Sequence, residues 1–211
     1  MKGNLIIISS PSGGGKGTLI KEVLKTTADI GYSVSYTTRT PRAGETNGRD
    51  YLFVSYQEFS DLIKQEEFLE YAEVHGNFYG TSKTRVDHEI ENGRDVILEI
   101  DVQGAENIVR KFPDAVSIFI LPPSFELLRE RLTARATESN EHLALRLKNS
   151  FGEVQKYKEF QYIVINDDKA KATRDLQTII LAERLKRVRQ IGAIQDILDS
   201  FDISKFNTVG D

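Results

Sequence analysis

An α/β fold with a parallel core sheet flanked by helices is what this sequence predicts, on three observations. Apolar runs rich in β-branched residues, "LIII" at 5–8, "DVILEID" at 95–101, "AVSIFIL" at 115–121 and "YIVIND" at 162–167, have the length and composition of buried strands. Stretches with helical spacing separate them, and strands joined through helices pair in parallel. Between the first strand and the first helix lies a small-residue loop, "SSPSGGGKGT" at 9–18, the setting of a phosphate-binding loop.

The loop's physics is direct. Gly13, Gly14 and Gly15 let successive backbone N–H groups turn inward, the helix N-terminus adds positive partial charge, and Lys16 reaches the outer phosphates of a nucleotide. The strict spacing G-x-x-x-x-G-K-[ST] is broken twice. Ser10 stands at the first glycine, and Gly17 follows Lys16 where a hydroxyl is expected, with Thr18 one residue later. In that register the G-K-G-T form resembles nucleoside monophosphate kinases, which puts the magnesium-side hydroxyl on Thr18. The bland alternative is a glycine-rich turn that merely connects two elements.

The chain's 211 residues give room for one good core with small insertions, and its 39% apolar content fits a globular protein. No apolar stretch approaches a membrane span, and nothing at the N-terminus marks export. Cysteine is absent, which excludes disulfides and thiolate metal sites and suits a cytoplasmic protein. A net charge of −4 argues against a general nucleic-acid binder. Arginines cluster locally, at 39 and 42, at 129, 131, 135 and 146, and at 184, 187 and 189. The last group, in "LAERLKRVRQ", reads as a solvated helix face. His75, His88 and His142 have neither metal spacing nor a neighbouring nucleophile and read as structural or solvent-facing.

Along the chain, "YSVSYTTRTPRAGETNGRDYLFVS" reads as strand, loop and strand, and "YQEFSDLIKQEEFLEYAEV" as a helix running into another strand. "HGNFYGTSKTRVDHEIENGRD" gives a turn and then a helix stopped at Gly93. The block from 33 to 93 is therefore expected to be a small α+β insertion. Residues 124–160 should form two helices with a break near Thr137 to Asn140, and 171–190 one long helix. The tail from Ile191 has scattered apolar positions and no assignable element.

Taken together, the loop, "SYTTRTPRAGETNGRDYLFV", "FLEYAEVHGNFYGTS", "LEIDVQGA", "RLTARATES" and "IVINDD" closely resemble the guanylate kinase family, from about residue 4 to 190. The resemblance implies a P-loop kinase fold in one domain, with core 1–32, 94–124 and 153–190, a GMP-binding insertion at 33–93, a helical lid at 125–152 and a tail at 191–211. It also implies transfer of the ATP γ-phosphoryl group to GMP, with dGMP as a further acceptor and Mg2+ accompanying ATP. Small-molecule substrates, no nucleic acid and no membrane are the implied partners, and a homo-oligomer is compatible with all of this.

Residue by residue, the resemblance puts ATP against Ser10, Pro11, Ser12, Gly13, Gly14, Gly15, Lys16, Gly17 and Thr18, with Thr18 also on the metal. Arg39 and Arg42 match residues that hold the GMP phosphate, helped by the hydroxyls of Ser35, Tyr51 and Tyr79. A guanidinium fork suits a phosphate face. Glu70 and Thr81 match positions that read guanine, the carboxylate accepting from N1–H and the amino group, the hydroxyl donating to O6. Asp101 matches a residue near the guanine amino group, and Glu99 one near the metal and phosphates, with their division of labour open. Arg135 and Arg146 match lid arginines that cover the ATP phosphates, and Arg131 shares that duty. Asn166, Asp167 and Asp168 match a segment beside the adenine, although "NDD" after a strand is equally a good turn. Ala136 departs from the pattern, which has glycine there.

Two rivals stand beside this reading. One is a kinase for another nucleoside monophosphate or a sugar phosphate. The other is a non-catalytic guanylate-kinase-like module that binds phosphorylated peptides, to which an intact Lys16 and the lack of companion domains are unfavourable.

Overall fold

The computed structural model describes residues 2–42, 44–74, 76–134 and 140–201, and for 140–142 the backbone alone. In chain order the elements are β1 (Leu5–Ser9), α1 (Lys16–Thr26), β2 (Ile30–Tyr32), β3 (Tyr36–Thr37), β4 (Leu52–Phe53), α2 (Tyr56–Lys64), β5 (Phe68–Val74), β6 (Asn77–Ser82) and α3 (Lys83–Glu91). There follow β7 (Asp95–Glu99), α4 (Val102–Lys111), β8 (Val116–Leu121), α5 (Phe125–Thr133), α6 (Asn140–Gln155), β9 (Tyr162–Ile165), α7 (Lys169–Arg184) and α8 (Arg187–Ser200).

The core sheet runs β2-β7-β1-β8-β9 and every pairing in it is parallel, as the alternation of strands and helices requires. β1 lies at its centre, with Ile8 opposite both Glu99 and Ile118. The loop after β1 and the acid ending β7 therefore emerge at the same edge. That edge lies beyond the carboxyl ends of the strands, where open α/β sheets bind ligands.

Alternation along the strands feeds two apolar layers. Ile6, Ile8, Ile97, Ile118 and Val164 pack on one side with Leu19, Ile20 and Val23 of α1 and Leu176 and Ile180 of α7. Leu5, Ile7, Leu98 and Phe119 pack on the other with Val86 of α3 and Ala105 and Ile108 of α4. Fully burying one such side chain contributes about 1.5–3 kcal/mol, which is why "LIII" carries no polar residue.

The insertion forms a second sheet, ordered β4-β3-β6-β5, with α2 beside it. Phe59 of α2 stacks on Phe68 and Phe78 at centroid distances of 4.6 and 5.4 Å. Ser55 starts α2 with a capping box to Glu58, and Asp168 caps α7 by accepting from Lys171 N at 2.7 Å.

Four expectations need correction. Ile30–Tyr32 is a fifth core strand, too short for its pattern to register. "NFYGTS", read as part of a turn, is β6, the strand that pairs with both β3 and β5. The long helix expected over 171–190 is two, broken between Arg184 and Arg187, and the unassigned tail is helical to Ser200, so the boundary at 190 falls inside α8. Finally, Arg184 is no solvated cation. It donates to Asp95 Oδ2 at 2.7 Å and to the carbonyls of Ala28 and Asp29, fastening the end of α7 to the sheet. The break expected near 137–140 falls between Thr133 and Asn140, partly outside the described residues. Among the described residues no helix is long and apolar enough to cross a membrane.

Candidate active site

Residues 10–18 wrap a pocket of about 300 Å³ that also receives Lys21 and Glu99. Gly13 and Gly15 have φ of 86° and 89°, the left-handed region where a side chain is strained. At Gly15 a Cβ would also lie 2.4 Å from Asn166 Nδ2, so backbone and neighbour both require glycine there. Asn166 is buried and donates to Gly14 O at 2.8 Å. Arg131 donates to Gly14 O at 3.4 Å and to Asn166 O at 3.1 Å. Both residues predicted for ATP thus brace the loop from behind. Asp167 is exposed and accepts from the backbone N–H of Asp168 at 2.8 Å.

Ser12 accepts from Arg146 at 3.1 and 2.8 Å, so that arginine of α6 already lies against the loop. Arg135 lies outside the described residues, as do His75 and the side chain of His142, while His88 is exposed. Thr18 is exposed in the first turn of α1 and faces the pocket with Lys16. Lys16 Nζ is 3.6 Å from Glu99 Oε1, and the phenol of Tyr32 donates to Glu99 Oε2 at 3.2 Å. Burial beside that carboxylate pushes the Tyr32 phenol up well above its ordinary range, so it remains a donor. A Cβ at 17 would stand 3.2 Å from Glu99 Oε1, a tight contact that the acid's side chain would have to relieve by a few tenths of an ångström.

A cleft of about 720 Å³ opens beside this pocket, between core sheet and insertion, and Ser35, Tyr51, Glu70, Tyr79, Glu99 and Asp101 are among its lining. Glu70 of β5 is 7% exposed and accepts from Thr81 of β6 at 2.9 Å. Desolvation pushes its carboxyl up to about 7, with the neighbouring Asp101 adding to the rise and the Thr81 hydrogen bond opposing it. In this structure the Thr81 hydroxyl donates to Glu70. Thr81 positions the carboxylate through Oε1, and Oε2 lies beside Gly104 at the start of α4. Asp101 Oδ1 accepts from Gly104 N at 2.9 Å as the N-cap of α4, which fixes this second acid at the cleft's edge.

Arg39 packs over the rings of Tyr51 and Phe53, 5.3 and 5.8 Å from their centroids; its Nη2 donates to both oxygens of Glu45, and its Nη1 to Thr40 O at 2.8 Å. That hydrogen-bonded pair holds the Arg39 guanidinium above and the Glu45 carboxyl below their usual values. Arg42 is exposed, and its backbone N–H donates to the same Glu45 at 2.7 Å. Sequence reasoning missed Glu45, Tyr32 and Lys21. Glu45 carries no local signal, Tyr32 sits in the missed strand, and only its four-residue spacing from Gly17 could have marked Lys21.

The guanylate kinase family model matches residues 2–183. Guanylate kinase of Neisseria meningitidis serogroup A is 51% identical over 94% of this chain and 97% of its own length. That of Shewanella sp. (strain MR-7) is 47% identical over 94% and 96%. The crystal structure of guanylate kinase from Anaplasma phagocytophilum superposes with a TM-score of 0.78 at 34% identity, covering 95% of each chain. With its family model spanning most of the chain and its two pockets meeting at Lys16 and Glu99, the protein belongs to the guanylate kinase family.

Proposed function

We propose that this chain transfers the γ-phosphoryl group of ATP to GMP, giving ADP and GDP, with ATP phosphates in the loop pocket and GMP in the larger cleft. The observation that carries the reading is the buried Glu70, bonded to Thr81, in a cleft that joins the phosphate loop through Lys16 and Glu99. Guanine presents N1–H and an amino group side by side, a pair of donors that one carboxylate accepts. Adenine presents a lone pair at N1, which leaves the carboxylate unsatisfied on burial.

In the reaction a GMP phosphate oxygen forms a bond to the γ-phosphorus, the bond to the β,γ-bridging oxygen breaks, and its electron pair leaves with ADP. The protein supplies alignment and positive charge. Lys16 faces the outer ATP phosphates, and Arg39, Arg42, Ser35, Tyr51 and Tyr79 receive the GMP phosphate. Arg131 and Arg146 reach the ATP side from α5 and α6, the proposed lid. Asn166 reaches the adenine side. The Thr18 hydroxyl and the Glu99 carboxylate share the lysine's pocket and make an oxygen donor set that suits Mg2+, which takes few protein ligands beside phosphate and water. When bound with ATP, that ion offsets charge on the β- and γ-phosphates. dGMP keeps the same base edge and phosphate and is proposed as a second acceptor. A cytoplasmic setting, where both nucleotides occur, goes with this reading.

A coupled assay of ADP formation, offering GMP, AMP, UMP and dTMP in turn, tests it. ADP release with GMP alone is the expected result. Equal rates with AMP, or ATP-dependent turnover with none of the four, overturns it.

A further inference from the structure

The loop pocket and the large cleft share four lining residues: Lys16, Gly17, Lys21 and Glu99. A group passing from one pocket to the other passes these side chains. Three are accounted for. Lys16 is paired with Glu99, Glu99 is also held by Tyr32, and Gly17 has no side chain. The fourth, Lys21, is exposed, and among the described residues its side chain makes no hydrogen bond or ion pair.

Its position follows from helix geometry. Gly17 and Lys21 are four apart in α1 and lie on one face. Helical side chains lean toward the N-terminus, so the lysine stem runs back over the turn containing Gly17, where no side chain stands in its way. An ammonium without a hydrogen bond or ion pair among the described residues, though close enough to Asp50 to help hold that carboxyl below its usual range, is thereby placed where two polyanions must meet. Glu99 alone would repel them, and Lys16, which lines both pockets, is already paired with that carboxylate.

We propose that Lys21 is a further catalytic residue of the phosphoryl transfer assigned above, its ammonium contacting the group in passage and the attacking GMP phosphate oxygen together. The bonds made and broken are those already given, and no proton moves to or from the lysine. Its contact strengthens as charge gathers between the two nucleotides, so it acts on turnover more than on the binding of either nucleotide alone.

The inference rests on the GMP-kinase reading, and its test compares the parent with Lys21→Gln, Lys21→Arg and Lys25→Gln. Lys25 lies one turn further along α1, outside both pockets, and serves as a control for net charge. We expect Lys21→Gln to lower kcat by about 30-fold, less than the roughly 10²–10³-fold for loss of a buried donor to developing charge because this lysine is exposed, with KM for GMP and for ATP each changed by less than about threefold. The Kd of an adenosine–guanosine bisubstrate linked by five phosphates should rise about tenfold, measured by calorimetry. Lys21→Arg should recover much of the loss, Lys25→Gln should behave as parent, and all should melt alike. A kcat for Lys21→Gln within about twofold of an active parent overturns the inference alone, as does a loss confined to KM for one nucleotide. A parent without GMP-dependent ADP release overturns both the reading and the inference.

Discussion

Arg39 Nη2 lies 2.9 Å from one oxygen of Glu45 and 3.0 Å from the other, so a guanidinium expected to receive a phosphate is already held by a carboxylate. The same carboxylate accepts from the backbone of Arg42, which ties the whole turn to one acid. The arrangement holds the Arg39 guanidinium against Glu45, which lines the cleft, instead of letting it rotate in solvent. Glu45→Ala is expected to raise KM for GMP about tenfold with a smaller effect on kcat, the mark of lost positioning on the binding side. Steady-state kinetics at saturating ATP decide it, and a lowered KM would show that Glu45 instead competes with the phosphate for Arg39.

Lys16→Ala should lower turnover by about a hundredfold or more while the protein stays folded, because the loop loses the cation facing the transferred charge. Rates read beside thermal melting check this. Near-parental turnover in a folded variant would remove the phosphate-loop account.

Gly15→Ala places a side chain at φ 89° and within 2.4 Å of Asn166 Nδ2. The backbone strain alone costs about 1–3 kcal/mol, and displacement of Asn166 frees the loop it braces. Denaturant unfolding should therefore show reduced stability together with a raised KM for ATP. Unchanged stability would mean the loop adopts this geometry without Asn166.

Glu70 predicts a pH dependence of binding. Burial raises its carboxyl to about 7, so the free protein holds the proton below that pH, whereas guanine's two donors require the carboxylate. KM for GMP should then rise as pH falls below about 7, by up to about tenfold per unit, and level off above it. The sign for folding is opposite. A carboxyl raised in the folded state stabilises the fold while protonated, and that contribution is lost as pH rises from the ordinary carboxylate range through about 7. In Glu70→Gln only the phosphate's own titration should remain. An identical profile in parent and variant would assign the dependence elsewhere.

How far the sequence could be read depends on where each signal lives. The phosphate loop was readable because its glycines, lysine and flanking strand are contiguous, and the physics of anion binding acts on that local run. Four core strands were readable because "LIII" and its counterparts are apolar throughout, as strands covered on both faces must be. β2 failed because three residues carry no period, and β6 because "NFYGTS" looks like turn chemistry until its partners β3 and β5 are known. The split between α7 and α8 has neither glycine nor proline to mark it. Within the site, Glu70 was reached through resemblance alone. Its burial, its bond to Thr81 and its raised pKa arise from pairing across strands, which no local pattern encodes. Arg131 and Asn166 were named for a nucleotide, and their contacts with the loop backbone follow from tertiary packing.

The central claim is that the cleft at Glu70 reads guanine, and the most direct measurement is the ratio of kcat/KM for GMP to that for AMP, in the parent and in Glu70→Ala. A site built on paired hydrogen bonds rejects the wrong base by roughly 10⁴-fold, so the parent ratio should be about that large. Glu70→Ala should lose about 2–4 kcal/mol in kcat/KM for GMP, since two charged hydrogen bonds go, and the ratio should collapse accordingly. A parent that uses AMP as well as GMP, or a Glu70→Ala variant with parental GMP kinetics, would contradict the account.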